Sequence, residues 1–89
     1  MTPDEVKTVV LQELGNIAPE ADIGGLDPNV PLRDELDIDS MDFLNLVIAL
    51  HERLGVDIPE ADYRRLASIK TTVDYLAARL SGGSASGSI

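Results

Sequence analysis

The 89-residue sequence contains no cysteine and a single histidine. Disulfides and thiolate metal sites are therefore excluded, and one imidazole cannot build a multi-histidine zinc site. Basic residues are also scarce, because seven lysines and arginines face sixteen acids and leave a net charge of −9. Such a surface is a poor partner for nucleic acid, since phosphate binding requires Lys and Arg to displace counterions. The same argument counts against attraction to anionic lipid. Stable membrane insertion is not expected either, because no apolar run reaches 18 residues.

Long apolar runs are missing as well. No stretch has the length of a membrane span, and the N-terminus, MTPDEVK, lacks the basic region that opens a signal peptide. These features predict a cytoplasmic, acidic, monomeric domain whose protein partners carry basic patches. Only three aromatic side chains are present, Phe43, Tyr63 and Tyr75, so we expect an aliphatic core.

Helical periodicity occurs in three places, and no sustained period-2 alternation predicts a strand. The first helix is expected to begin at a capping box of Thr2 and Glu5 and to end at Gly15. The second is expected from residues 39 or 40 to 54. The last follows Ser68, and one helical turn is expected around residues 61–66. The pattern predicts an all-α fold.

A loop of more than twenty residues, from residue 16 to about residue 39, separates the first two helices. Its three prolines and the Gly24-Gly25 pair preclude a continuous helix. We expect apolar side chains to pin it across the core: Ile23, Leu26, Val30, Leu32 and Leu36. Residues 1–80 are assigned to the folded domain, and the Gly/Ser-rich residues 81–89 to a flexible C-terminal tail.

The second helix is more apolar than one buried stripe requires, since eight of the ten residues from 41 to 50 are apolar. At about 100° per residue, its core face contains Phe43, Leu46, Val47, Leu50 and Leu54. The solvated face is expected to contain Asp42, Ala49 and Arg53. A third strip, called the 41–52 strip below, consists of Met41, Asn45, Ile48 and Glu52. This strip either completes a wide core or forms an exposed docking surface with apolar anchors and a polar rim.

Catalytic and metal-binding arrangements are not apparent. Ser40 and His51 are about 16 Å apart along one helix, too far for a nucleophile and its base, so His51 is expected at the surface. The run that begins at Asp37 imitates an EF-hand loop, but Met41 replaces a ligand and Ile48 stands where the bidentate Glu belongs. The sequence predicts neither an enzyme nor a metal site.

Ser40 stands at the start of the second helix in an acidic run that contains Asp34, Glu35, Asp37, Asp39 and Asp42. One interpretation makes Ser40 an ordinary helix-capping serine in a solvated loop. The other makes its hydroxyl the carrier of a covalent phosphodiester, whose negative charge the free amides and the helix dipole favour. The residues of this run alone leave both interpretations open.

The chain resembles the acyl carrier protein family over about residues 3–80, most clearly over residues 36–80. The points of similarity are Asp39-Ser40-Met41-Asp42, Ile58-Pro59 in the linker and Val73-Asp74-Tyr75-Leu76 in the last helix. The apolar second helix that ends before Gly55, the first helix and the long loop also fit. The dipeptide Asp39-Ser40 is a weak signal alone, but its combination with the later motifs is specific.

The resemblance implies a small four-helix bundle of acyl-carrier type, with a long first loop and a short third helix. It also implies a 4′-phosphopantetheine arm attached to Ser40, within a motif that includes Asp39. A phosphopantetheinyl transferase (holo-ACP synthase) would supply the arm. Acyl groups would be held on the arm as thioesters and presented to fatty-acid, polyketide or related lipid biosynthetic enzymes. The partner-binding residues would be Met41, Asp42, Asn45, Ile48 and Glu52.

The sequence departs from the usual family pattern at Ile38, Met41, Asn45 and His51. These positions leave open whether the partner enzymes belong to general fatty-acid synthesis or to a dedicated pathway. Two other classes also stay open. One is an unmodified acidic helical adaptor that binds a basic protein through the 41–52 strip, and the other is a peptidyl or polyketide carrier domain from a larger synthase.

Overall fold

The computed structural model describes residues 2–82, which form an all-α fold without strands over that range. In chain order the elements are α1 (Pro3–Ile17), a 3₁₀ turn (Ile23–Gly25), α2 (Leu32–Glu35), α3 (Ser40–Leu54), a 3₁₀-helix (Glu60–Leu66, the 60–66 helix) and α4 (Ile69–Ala77), which a wider turn (Ala78–Gly82) extends. The four helices of the bundle are α1, α3, the 60–66 helix and α4. The third of them, the 60–66 helix, is short, at seven residues. The fold class expected from the sequence is confirmed.

Local capping explains where the long helices begin. At the start of α1, Thr2 Oγ1 accepts a hydrogen bond from the Glu5 N–H at 3.2 Å, and Glu5 Oε1 accepts one from the Thr2 N–H at 2.8 Å. The same reciprocal arrangement begins α3 and α4. α3 ends at Gly55, whose φ of +67° is the left-handed conformation that glycine adopts without strain.

The end of α1 differs from the expectation. Gly15 does not stop the helix, which continues to Ile17. Gly15 keeps a negative φ, and the helical path is abandoned only at Ala18, where φ is −125° and ψ is 70°. Ala18 precedes Pro19, and the proline ring disfavours helical geometry at the residue before it. The proline therefore ends α1 at Ile17, two residues after the glycine.

Four of the five apolar side chains expected to pin the long loop pack on the core, whereas Val30 is not among the residues that do so within the described chain. Leu32 and Leu36 are buried, and Ile23 and Leu26 pack partly buried against the core. Backbone hydrogen bonds join the loop to the second half of the chain, since the Leu32 N–H donates to the Ala67 carbonyl at 2.7 Å. The loop thus positions α2 beside the 60–66 helix.

The core lies between α1, α3 and α4, because α1 packs against both of the others, whereas the 60–66 helix packs on α4. The expected core face of α3 is confirmed, with Leu46, Val47 and Leu50 buried and Phe43 and Leu54 partly buried.

The expected solvated face of α3 is confirmed for Arg53, which is exposed, and is wrong for the other two residues. Asp42 and Ala49 are partly buried, and the Arg53 guanidinium lies 3.0 Å from Glu13 Oε2 and 2.9 Å from Gln12 Oε1 on α1. At 100° per residue these positions flank the core face, and the side opposite the core is the 41–52 strip.

No helix within residues 2–82 is long and apolar enough to cross a membrane. Of the predicted tail, residues 81–89, the first two belong to the wider turn after α4, and the remainder lies outside the described residues.

Candidate functional site

The start of α3 is capped by Asp39. Its Oδ1 accepts a hydrogen bond from the Asp42 N–H at 2.9 Å, and Asp42 Oδ2 accepts one from the Asp39 N–H at 3.4 Å. The Asp39 carbonyl also accepts the Phe43 N–H at 3.0 Å. A carboxylate at this position satisfies an otherwise unpaired helix amide and favours the positive end of the helix dipole.

Ser40 is the first residue of α3 and is exposed. Its hydroxyl forms no hydrogen bond with any other residue that the structure describes. The interpretation of Ser40 as a helix cap is therefore wrong, because Asp39 performs that role. The Ser40 hydroxyl points out from the beginning of a 15-residue helix, where free first-turn amides and the dipole favour an attached anion. These surroundings fit a phosphodiester.

Ser40 lines a cleft of about 520 Å³ between α3, α2 and the 60–66 helix. Six of its lining residues are Leu32, Ser40, Phe43, Leu44, Tyr63 and Leu66. Phe43 and Leu44 follow Ser40 by three and four residues, so the three side chains share one face of the helix. The cleft is within the size range of small-molecule pockets and is mostly apolar. It is suited to shelter an apolar group held near Ser40.

A second cleft, of about 420 Å³, continues along the same side of α3 and includes Val47, Ile48, Ile58 and Tyr63. Tyr63 lines both clefts, and its ring meets that of Phe43 edge to face with centroids 5.8 Å apart. The boundary between α3 and the 60–66 helix is thus bridged by an aromatic contact with a cleft on either side of it.

The 41–52 strip is exposed along its whole length. The exposed fractions of Met41 and Ile48 are 65% and 46%, and Asn45 and Glu52 are also exposed. The alternative in which this strip completes the core is wrong. Asp42, grouped with these residues on the partner face, does not lie on the strip, and its carboxylate takes part in the α3 cap.

His51 is exposed, as expected, and sits near the far end of α3. Its Nδ1 lies 2.9 Å from the Val56 carbonyl oxygen and 3.7 Å from Asp57 Oδ1. This ring holds the turn after α3 and has no contact with Ser40. Among residues 2–82, no three acidic or histidine side chains come together as a metal site.

Sequence reasoning missed the residues that reach the Ser40 cleft from outside α3. Arg33 comes from α2, and Tyr63 and Arg64 come from the 60–66 helix. No motif marks these positions. The one signal in the sequence was that Arg33 and Arg64, two of its seven basic residues, stand next to Leu32 and Tyr63.

The all-α architecture and the exposed serine at the start of α3 fit the class of small helical carriers with a covalently attached prosthetic arm. The family described as "Phosphopantetheine attachment site" matches residues 4–76. The acyl carrier protein of Campylobacter hominis is 36% identical over 73 residues, which cover 82% of this chain and 86% of that protein. That of Campylobacter fetus subsp. fetus is 37% identical over 73 residues, 82% and 88% of the two chains. That of Zymomonas mobilis subsp. mobilis is 31% identical over 75 residues, 84% and 90%.

The chain belongs to the acyl carrier protein family. It is therefore a carrier and not a catalyst, and its cofactor is a covalently attached 4′-phosphopantetheine. Members of this family work with phosphopantetheinyl transferases and acyl-processing enzymes.

Proposed function

We propose that Ser40 is the residue that carries 4′-phosphopantetheine, and that the chain transports acyl intermediates for fatty-acid, polyketide or related lipid biosynthesis. The observation that carries this proposal is the exposed Ser40 hydroxyl, which is unbonded within the described residues while Asp39 caps the helix. The hydroxyl of a capping serine would accept a hydrogen bond from a backbone N–H of the first helical turn. This one is available to a modifying enzyme.

The attachment chemistry requires little of the chain itself. A transferase would supply coenzyme A and the base that removes the Ser40 hydroxyl proton. The Ser40 Oγ–phosphorus bond would form as the phosphoanhydride bond of coenzyme A breaks, and adenosine 3′,5′-bisphosphate would leave. The product is a phosphodiester at the start of α3, where the amides of Ser40 and Met41 have no partner in the helix. The arm's thiol then holds the acyl group as a thioester.

The cleft beside Ser40 supports a role in sheltering the acyl group. Its walls are largely aliphatic and aromatic, and two of them, Leu32 and Leu66, are buried residues of the core. Burying a methylene group there would contribute about 0.8 kcal/mol. A short acyl chain would therefore be held more stably inside the cleft than in water.

The first experiment measures the intact mass of the protein after treatment with coenzyme A and a broad-specificity phosphopantetheinyl transferase. We expect wild type to gain the mass of one arm and Ser40→Ala to gain none. Ser68→Thr is the matched control, because Ser68 also begins a helix but uses its hydroxyl for capping. That variant should be modified like wild type. An unmodified wild-type chain, after treatment with several such transferases, would favour the unmodified adaptor.

The 41–52 strip is proposed as the surface that binds partner enzymes. Apolar anchors within a polar rim control dissociation, whereas charges at the rim steer association with a basic partner. We expect Met41→Ala and Ile48→Ala each to weaken transferase binding by about 1 kcal/mol, a roughly fivefold rise in Kd. Glu52→Lys should slow association most at low salt.

The control for the charge reversal is Glu20→Lys, at an exposed position outside the strip. It should leave the association rate closer to that of wild type than Glu52→Lys does. If both alanine variants and Glu52→Lys bind like wild type, the strip is not the partner surface. The role of Asp42 on this face, the particular pathway, the monomeric state and the cytoplasmic location stay predictions.

A further inference from the structure

Two arginines line the cleft that contains Ser40. Arg33 projects from α2 and Arg64 from the 60–66 helix. The Arg33 guanidinium carbon lies 5.9 Å from the centroid of the Phe43 ring, and Phe43 is one helical turn from Ser40. Two exposed cationic groups from different elements therefore line the same cleft as Ser40.

Neither arginine is neutralised within the described residues. Three other cations in this chain pair with carboxylates, Arg53 with Glu13, Lys70 with Asp74 and Arg79 with Asp62. Arg33 and Arg64 form no hydrogen bond and no ion pair with any residue that the structure describes, although the chain has sixteen acids.

The charge of the cleft wall is opposite to that of the protein. Three charged residues line it, Arg33, Arg64 and Glu60, which leaves it one positive charge, whereas the whole chain carries −9. The cation–π contact with Phe43 explains why Arg33 lies at the cleft wall. It does not account for Arg64, and a guanidinium stacked on a ring keeps its in-plane N–H groups free to donate.

We propose that Arg33 and Arg64 form an oxyanion-binding pair in the Ser40 cleft. The inference rests on the proposed function, because the oxyanion would arrive on a group attached at Ser40. Two sources share this chemistry. One is the phosphate of the arm, close to Ser40, and the other is a carboxylate on the acyl group, deeper in the cleft. Guanidinium groups bind both through charge-assisted, often bidentate hydrogen bonds.

The test does not depend on a transferase. The chain has no cysteine, so Ser40→Cys introduces a single thiol at an exposed position with no hydrogen bond to lose. Thiol–disulfide exchange then attaches a chosen group: the introduced thiolate attacks an activated disulfide, a new S–S bond forms and the leaving thiol departs. The short pair of adducts comes from 3-mercaptopropanesulfonate and 3-mercaptopropanol. The long pair comes from 8-mercaptooctanoate and its methyl ester.

The measurement is the melting temperature of each anionic adduct relative to its neutral partner. One more negative charge on a chain at −9 should lower the melting temperature by repulsion. If the arginines bind the anion, it should instead rise by about 3–6 °C. A rise with the short anion indicates the phosphate position, and a rise with the long anion indicates an acyl carboxylate.

The same adducts are then made in Arg33→Gln and Arg64→Gln backgrounds. We expect the rise to shrink in both and to persist in Arg65→Gln, because Arg65 neighbours Arg64 in the sequence but does not line the cleft. No rise with either anion would overturn the proposal. A rise that survives both cleft substitutions would also overturn it and would assign the effect to the helix amides. Failure of Ser40 to accept the arm would leave these results unaffected.

Discussion

The Asp39-Ser40 pair can be separated into a residue that stabilises the fold and a residue that is free for chemistry. Replacement of Asp39 by Ala removes the acceptor of the 2.9 Å hydrogen bond from the Asp42 N–H. Replacement of Ser40 by Ala removes a hydroxyl that has no partner within the described residues. We therefore predict that Asp39→Ala destabilises the protein and that Ser40→Ala does not.

The magnitude follows from the geometry of the cap. The bond from the Asp42 N–H is short, whereas the reciprocal bond from the Asp39 N–H, at 3.4 Å, is long and contributes little. Loss of an N-cap side chain typically costs about 1 kcal/mol, and a domain of this size then melts about 4–8 °C lower. Ser40→Ala should change stability by less than about 0.5 kcal/mol.

The assay is thermal unfolding followed by far-UV circular dichroism, with urea unfolding as a check on the free energy. Asp39→Asn is the matched control, because asparagine caps about as well as aspartate and removes only the charge. It should melt within a few degrees of wild type. Equal melting temperatures for Asp39→Ala and Asp39→Asn, or an equal loss in Ser40→Ala, would refute the assignment of the cap to Asp39.

Two further predictions concern α4. Thr72 is fully buried, and its hydroxyl has no hydrogen-bond partner in the described part of the chain. Thr72→Val should therefore raise the free energy of unfolding by about 1 kcal/mol, measured by urea unfolding. A loss of stability would mean that the hydroxyl is satisfied. Burial, and then the hydrogen bond from the Tyr75 hydroxyl to Asp62 at 2.6 Å, raises the pKa of Tyr75 above 10.0. The folded state holds this proton more tightly than the unfolded chain, so its contribution to stability is complete below pH 10 and is lost as the pH rises through the raised pKa. Melting temperatures from pH 8 to 11 should fall more steeply for wild type than for Tyr75→Phe, and parallel curves would contradict the shift.

Helix starts were predictable because their signals lie within three residues of each other. Asp39 and Asp42, like Thr2 and Glu5, form reciprocal caps from neighbouring backbone and side-chain groups alone. Gly55 ends α3 for an equally local reason, since a positive φ is inexpensive only for glycine. The core face of α3 was also predictable, because helical periodicity places its apolar residues on one side.

The end of α1 and part of the solvated face of α3 were not correctly predicted, for different reasons. Gly15 is a valid stop signal only if it takes a positive φ, and here the later Pro19 decides where the helix ends. Arg53 is exposed as expected, but its ion pair was not predicted, because its partner, Glu13, lies 40 residues away in the sequence. A contact of that kind depends on how α1 packs against α3. The periodicity of one helix carries no information about that packing.

The Ser40 cleft was not predictable for the same reason, because it depends on contacts between residues far apart in the sequence. Its walls come from α2, α3 and the 60–66 helix, so it exists only after the long loop has brought α2 beside the second half of the chain. The loop's length therefore has a structural reason. It carries Leu32 into the core and, on the next residue, Arg33 to the edge of the cleft.

The geometry of α3 places the Ser40 cleft beside the 41–52 strip, the proposed partner surface. Steps of about 100° put Ser40 on the same side as Leu44, which lines the cleft, and put Met41 one step further round, at the end of the 41–52 strip. An enzyme that binds the strip would thus lie next to the residue proposed to carry the arm, while the opposite side of α3 stays packed in the core. Because the two proposed roles fall on neighbouring faces of one helix, a partner could bind without disturbing the core. A group sheltered in the cleft would have to move only across the α3 surface to reach that partner.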